Sequence, residues 1–223
     1  YLFTRPGKLS ELYCAGVRKS LFKPLSLFFL LVVLYLLFPV FEGISMKLMY
    51  HMQSNYYGNY ALEKATAVMQ KNNWSQTQLS EAFQLKSAKV SKFLLLILIP
   101  LTALFCWVFT FKKRGYFFDQ MVLASEINSV YLIWGFLLVP LLVFSFQIIY
   151  KAVAGAHAQV TDNEIGPLMY AVLLLYVNIA GRRFYKLKMG QAVGFALLFC
   201  IAHTVIVHGI YKFLLFSIIM LLL

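Results

Sequence analysis

From Ser129 to Tyr150 the chain carries no charged side chain, and further apolar runs lie on both sides of this stretch. A helix needs about 20 apolar residues to cross the ~30 Å hydrocarbon core of a bilayer. A closed barrel is the other structure that can span a bilayer, but its ~10-residue alternating strands do not occur in this sequence. The pattern therefore predicts an all-α, polytopic membrane helical bundle.

The composition agrees with this class. Hydrophobic residues make up 61% of the chain and charged residues only 13%, whereas about a quarter of a soluble domain is charged. The net charge of +12 would suggest nucleic-acid binding in a soluble protein. Here the Lys and Arg residues cluster beside the ends of apolar runs, as the positive-inside rule requires. We expect membrane lipid as a partner, and no nucleic acid.

Five apolar runs predict five transmembrane helices within a membrane domain of residues 24–223. Lys23 and Pro24 begin the first helix, and the Lys112–Arg114 triplet ends the second. The last run is too long for one perpendicular crossing. We expect one long or bent helix there, with a break near His208 as the alternative. The predicted spans lie at about 24–41, 93–111, 129–150, 167–181, and 191–212 or beyond.

The segments between the spans have their own patterns. Residues 1–23 and 115–128 predict amphipathic interfacial helices, and residues 42–91 predict an external helical insertion. In the insertion, Ser75 and Gln78 form the sequence signature of a capping box, which indicates a helix that begins at Ser75. Prolines at positions 100 and 140 predict kinks within two of the spans.

The distribution of charge predicts the orientation. With the N-terminus inside, the inner segments 1–23, 112–128 and 182–190 hold 12 of the 20 Lys and Arg residues but three of the eight acids. This arrangement satisfies the positive-inside rule. It places the N-terminus in the cytoplasm and the C-terminus in the periplasm.

A polar strip in the last span is the first candidate site. Thr204, His208 and Lys212 recur every four residues and share one face of an α-helix. Burying an ionisable group inside a span costs free energy, and such groups are often functional. The alternative is that Lys212 snorkels to the outer boundary, which requires no function. We favour the alternative.

Two acids near the third span are the second candidate. Asp119 and Glu126 lie seven residues apart, on one face of a predicted interfacial helix. Paired carboxylates can relay protons or hold a cation. Acids in the headgroup zone more often pair with nearby Lys and Arg or cap a helix, and we favour that structural role.

The third candidate is a helix-packing motif. Gly190 and Gly194 form a GxxxG at the start of the last span, which lets another helix approach closely. The approaching helix could belong to this chain or to a partner, and the sequence leaves both open.

The fourth candidate is a basic set beside the fourth span: Arg182, Arg183, Lys186 and Lys188. These cations could bind anionic headgroups or an acidic partner. Their role in setting the orientation of the chain is also enough to explain them.

The sequence offers no catalytic, cofactor or metal motif. Cys106 and Cys200 lie inside apolar spans, and Cys14 lies in a basic amphipathic segment. Neither a CxxC nor a Cys/His ligand spacing occurs. We therefore expect no enzymatic activity, no cofactor and no metal.

Several short motifs resemble one family of uncharacterised bacterial multi-pass inner-membrane proteins, whose longer members carry an N-terminal zinc ribbon. The strongest similarity covers Arg5–Lys8 and Lys23–Ser26, with weaker similarity at Ile99–Leu104 and Tyr116–Asn128. The family pattern has histidines in the last region, where this chain has Gln120, Glu126 and Asn128. The resemblance implies a bacterial inner membrane and, because the family has no known function, no activity.

These patterns lead to two functional hypotheses. The first is a non-enzymatic accessory or scaffold subunit that packs against other membrane protein subunits, because the spans are almost uniformly apolar. The second is a transporter or lipid-handling membrane protein that uses the polar strip in the last span.

Overall fold

The computed structural model describes residues 2–17, 22–37, 47–155 and 162–223. Every regular element among these residues is helical, so the predicted all-α class is confirmed. The chain divides into two compact units, one of residues 1–31 and 99–202 and one of residues 32–98 and 203–223. Each unit is described by itself.

The first unit is built from helices around one apolar core. Side chains of four helices meet in it, including Cys106, Leu123, Val177 and Phe199. The helices that contribute wholly or mainly to this unit are α1 (Lys8–Cys14), α6 (Leu98–Thr110), α7 (Phe117–Ile133), α8 (Val139–Ala154), α9 (Asp162–Phe184) and α10 (Met189–Thr204), while α2 (Pro24–Leu37) contributes its first half.

The second unit has an aromatic core. The Phe216 ring packs against the rings of His51, Tyr57 and Phe83, at centroid distances of 5.5, 6.2 and 6.1 Å. The C-terminal end of the chain therefore completes the core of the predicted external insertion. The helices of this unit are α3 (Leu48–Met52), α4 (Gly58–Asn72), α5 (Gln76–Leu94) and α11 (Lys212–Leu222).

Two helices are long and apolar enough to cross a membrane by length and composition: Gln76–Thr110 and Met189–Leu222. Pro24–Leu34 and Val139–Val153 are apolar but shorter. The structure thus supports two of the five predicted spans by this criterion and does not support five. Among the described residues, the apolar helical stretches within the first and third predicted spans are shorter than 18 residues.

The start of helix α5 agrees with the capping box that the sequence predicted. The Ser75 hydroxyl accepts a hydrogen bond from the Gln78 N–H at 3.3 Å, and the Gln78 side chain accepts one from the Ser75 N–H at 2.9 Å. These two bonds form the predicted capping box, and α5 begins at the next residue. Capping satisfies backbone donors that a helix start leaves without partners.

Each predicted proline kink coincides with a departure from α-helical geometry. A 3₁₀ turn at Leu95–Ile97 precedes Pro100, and a π-helical turn at Trp134–Leu138 precedes Pro140. Proline has no N–H to donate and its ring crowds the carbonyl four residues earlier. The preceding turn therefore adopts a different hydrogen-bond register.

Several predicted features lie outside the described residues. They are the end of the first predicted span at 38–41, the start of the insertion at 42–46, and the basic residues Arg18 and Lys19 of the first interfacial segment.

Candidate functional site

A buried carboxylate joins the N-terminal helix to the first unit. Glu126 is 0% exposed. Its Oε1 accepts hydrogen bonds from the Gly7 N–H and the Tyr176 hydroxyl, both at 2.8 Å. Its Oε2 accepts from the Ser10 N–H at 2.8 Å and from the Ser10 hydroxyl. Four donors, from three residues in two separate parts of the chain, thus converge on one side chain.

Gly7 is required by two features of this arrangement. Its φ of +74° lies in the left-handed region, which side chains other than glycine rarely adopt. A Cβ at this position would also lie 2.9 Å from the Ala180 Cα. The missing side chain lets the N-terminal segment touch the backbone of α9, so that the Gly7 N–H can reach Glu126.

Helix α7 buries several small polar side chains. Their burial is possible because they donate hydrogen bonds, mostly to the backbone of the same helix. The Ser125 and Ser129 hydroxyls donate to carbonyl oxygens four residues earlier, each at 2.7 Å. Asn128 donates to the Ala124 carbonyl at 2.8 Å and to the Thr102 hydroxyl at 3.1 Å. These bonds satisfy the hydroxyl and amide N–H donors of the three side chains, which burial would otherwise penalise. The Asn128 Oδ1 is buried without a hydrogen-bond partner among the described residues.

The N-terminal segment is also tied to the end of α9. Arg183 donates to the Pro6 carbonyl at 2.6 Å. Glu11 accepts from the Lys8 ammonium at 3.0 Å and from the Lys186 ammonium at 2.5 Å. The hydrogen bond from Lys186 holds the pKa of Glu11 below its usual value, although partial burial opposes the shift.

A second network joins the segment after α6 to the end of α9. Arg114 donates to Asp119 at 3.0 Å and to the Phe184 carbonyl at 3.1 Å, and its guanidinium lies 4.1 Å from the centre of the Phe184 ring. Gln120 donates to the Arg114 carbonyl at 2.8 Å and accepts from the Tyr185 hydroxyl.

The three segments predicted to lie on one side of the membrane therefore meet in one place. We call this place the Glu126 junction, and define it by Gly7, Ser10, Glu126, Tyr176 and Arg183. Hydrogen-bond donors of the same chain surround the Glu126 carboxylate. This side chain therefore anchors the backbone N–H groups of Gly7 and Ser10. Among the described residues, no group of three His, Cys, Asp or Glu side chains could hold a metal ion.

The two predicted acids thus have different surroundings. Asp119 is partly exposed and pairs with Arg114. Glu126 is fully buried and faces N–H and O–H donors of distant residues. Sequence spacing grouped the two acids because it reports the face of a helix and not what packs against that face.

The polar strip lies in the second unit, where Thr204 and Lys212 flank a stretch that is not α-helical and His208 lies within it. Val205–Tyr211 forms a π-helical segment within the last helix, which otherwise continues from Met189 to Leu222. A π-helix bonds each N–H to the carbonyl five residues back, so residues four apart no longer stand in line. Thr204, His208 and Lys212 are each half-buried.

Open space surrounds the predicted helix-packing glycines. A Cβ placed at Gly190 or at Gly194 would meet nothing within 4 Å. The close contact of this region involves Gly181 instead, where a Cβ would lie 3.3 Å from Phe195. No helix among the described residues therefore uses the GxxxG surface.

The basic set lines a cavity at the end of α9. This cavity is shallow and wide open to the surface, with a volume of about 450 Å³, and it is lined by Ile179, Arg182, Arg183, Lys186 and Leu187. Lys188 is exposed on the polypeptide that follows. Sequence analysis found the cations but gave no sign of a cavity between them.

A protein family matches the N-terminal part of the chain. Residues 1–36 match the family described as protein of unknown function (DUF3667). This region contains Gly7 and Ser10 and the predicted Arg5–Lys8 and Lys23–Ser26 motifs, so the resemblance is supported there; the weaker similarities at Ile99–Leu104 and Tyr116–Asn128 lie outside it. Neither a curated protein nor a solved structure matches the chain.

Sequence analysis missed the main residues of the Glu126 junction. Gly7 entered the sequence analysis only as part of the Arg5–Lys8 motif, while Ser10 and Tyr176 carried no signal of their own. The contact from Gly7 to Glu126 spans 119 positions. The available hint was a turn glycine in the motif Arg5–Lys8, since a glycine with positive φ often marks a close approach.

Proposed function

We propose that this protein is a non-enzymatic multi-pass membrane protein that acts as an accessory or scaffold subunit of a membrane complex. The observation that carries the proposal is helix α8, which is apolar yet exposed nearly all round. Leu142, Phe144 and Ile148 are 52%, 62% and 54% exposed. A helix that is hydrophobic on all sides belongs in lipid or against another apolar surface.

A polar side chain on this helix favours a protein partner over lipid alone. Gln147 lies in the middle of α8 and makes no hydrogen bond to the described residues. An amide without partners in hydrocarbon costs several kcal/mol, whereas an amide between helices forms an interhelical hydrogen bond. Phe144, Gln147 and Ile148 form one stripe at helical spacing, and we propose that a helix of another membrane subunit packs on it.

The open GxxxG surface supports the same proposal. Gly190 and Gly194 carry no side chain that would keep a second helix at a distance, and the space before them is empty of described atoms. Small residues at such spacing let backbones approach closely in membranes. A partner could therefore use this surface as well as the α8 stripe.

We also propose the five-span topology with the N-terminus in the cytoplasm of a bacterium and the C-terminus in the periplasm. Two groupings support it. The predicted inner segments contact one another through Glu126, Arg114 and Arg183. The predicted external insertion shares its core with Phe216 near the C-terminus. Each grouping favours a topology in which its members lie on one side of the membrane.

Photo-crosslinking in native membranes tests the scaffold role. A photoreactive residue is placed at each position from Leu141 to Ile149 in turn, with the buried Leu123 as the control for contacts within the chain. We expect strong crosslinks to another membrane protein from probes at Phe144, Gln147 and Ile148. Probes at the positions between these residues should give weak crosslinks. Crosslinks to lipid alone along the whole helix would contradict the proposal.

The second candidate function is transport or lipid handling by the polar strip. The π-helical segment Val205–Tyr211 favours it, because π turns inside α-helices are frequent at functional sites. A transport path must be reached by water. Cysteines placed at Thr204 and His208 should then react with a membrane-impermeant maleimide, and lack of reaction in intact membranes would remove this candidate.

A further inference from the structure

We propose that the cavity at the end of α9 binds the phosphate of an anionic lipid headgroup. The inference rests on the membrane location proposed above and goes beyond the scaffold role. The cavity joins three cationic side chains, Arg182, Arg183 and Lys186, to two apolar ones, Ile179 and Leu187. Its lining thus offers charge for a phosphate and an apolar wall for the glycerol and the first carbons of an acyl chain.

The cationic side chains of the cavity differ in how many of their N–H donors already bond to other residues. Arg183 donates to the Pro6 carbonyl, which fixes the guanidinium while other N–H groups of its five-donor fork remain. Arg182 is exposed and makes no hydrogen bond or ion pair to the described residues. Lys186 pairs with Glu11, and its side chain is 71% exposed, so a phosphate can share this ammonium.

The surrounding charge is strongly positive. Besides the three lining cations, Lys188 follows the cavity, and Lys8 lies on the helix that supplies Glu11. Glu11 is the single acid among these contacts, and two ammonium groups already neutralise it. Basic pockets at the ends of membrane helices attract anionic headgroups, by about 1 kcal/mol for each Lys or Arg near the surface.

The backbone at Lys186 gives a separate reason to connect this residue with binding. Its φ of +55° is left-handed, and helices usually place glycine or asparagine at this position after their last turn. A lysine there costs stability that a glycine would recover. The favourable interaction of cations with the C-terminus of α9 explains Arg182 and Arg183, but it does not explain a strained lysine at the mouth of a cavity.

The test measures binding of short-chain lipids to the full chain in neutral detergent. Three probes are titrated at matched ionic strength: dihexanoyl phosphatidylglycerol, dihexanoyl phosphatidylcholine and glycerol phosphate. The binding variant is Arg182→Gln with Lys186→Gly, which leaves Arg183 and its contact with Pro6 in place. The control variant is Lys112→Gln with Lys113→Gln, which removes the same charge from exposed positions outside the cavity.

The proposal predicts that phosphatidylglycerol binds more tightly than either other probe. The binding variant should lose about tenfold or more in affinity, while the control variant loses less than about threefold. Lys186→Gly alone should weaken binding without lowering the unfolding temperature, which separates a binding role from a structural one. This readout is independent of crosslinking on α8.

Three results would overturn the proposal. Equal losses of lipid affinity in the binding and control variants would show that the lipid is attracted by the positive charge of the protein in general and not by this cavity. Glycerol phosphate that binds as tightly as the lipid would indicate a soluble phosphate ligand. Displacement of the lipid by a polyglutamate peptide at the same concentration would indicate an acidic protein partner.

Discussion

The Gly7 N–H donates a hydrogen bond to the Glu126 carboxylate at 2.8 Å, although 119 positions separate the two residues. The same carboxylate accepts bonds from Ser10 and Tyr176. Gly7 and Ser10, which lie within the stretch that matches the family of unknown function, are thereby bonded to the interior of the first unit. A buried side chain whose oxygens are all hydrogen-bonded specifies one arrangement of its surroundings, because displacement of a donor leaves a buried oxygen without a partner.

Glu126→Gln should destabilise the protein by about 3 kcal/mol. The amide that replaces one carboxylate oxygen is a donor, so it would face other donors at that position. The measurement is thermal unfolding in detergent, together with limited proteolysis of residues 2–17. Asp119→Asn is the matched control and should cost less than about 1 kcal/mol, because its pair with Arg114 is partly exposed. Equal costs for the two variants would contradict the anchoring role of Glu126.

Gly7→Ala should cost about 3 kcal/mol, since it adds a left-handed alanine and a clash with Ala180. Gly16→Ala is a matched control, because Gly16 has a φ of +92° but nothing within 4 Å of a Cβ. It should cost about 1 kcal/mol, the backbone contribution alone. The difference in unfolding free energy measures the close approach to α9. A difference near zero would show that the approach is not required.

What could be predicted from the sequence was local. The capping box of Ser75 and Gln78 depends on residues three apart, and the non-α turns before Pro100 and Pro140 follow from the chemistry of one residue. The Glu126 junction depends on contacts across more than a hundred positions, which no spacing rule contains. Composition predicts a membrane class, and the structure supports it with two helices that are long and apolar enough to cross a membrane. It does not support the five spans that the sequence predicts.

The pH dependence of the N-terminal contact follows from Glu11. Its pKa is lowered chiefly by the hydrogen bond from Lys186, so the stabilisation is present above the unfolded value of about 4.3. It is lost as the pH falls through the lowered value of the folded protein. The difference in stability between the natural protein and Glu11→Gln should be under about 1 kcal/mol at neutral pH and should vanish in acid. A difference that stays constant with pH would contradict this role.

The shared aromatic core of the second unit predicts a large effect near the C-terminus. Phe216 is 0% exposed, whereas Leu221 on the same helix is 86% exposed. Phe216→Ala should lower the unfolding free energy by about 4 kcal/mol, and Leu221→Ala by less than about 0.5 kcal/mol. A second readout is the phenol of Tyr57, whose pKa burial raises to about 12. Loss of Phe216 should expose it and move its titration towards the usual value, while an unchanged titration would contradict the shared core.

The most direct test of the scaffold role is the identity of what remains bound to the protein after mild extraction from its native membrane. Extraction in mild detergent, followed by size analysis and mass spectrometry, compares the natural chain with Gln147→Leu/Ile148→Trp and with Leu142→Trp on another face of α8. We predict a stoichiometric membrane-protein companion that the Gln147→Leu/Ile148→Trp variant loses and the Leu142→Trp variant keeps. A chain that purifies alone, or a companion that all three chains retain equally, would contradict the proposal.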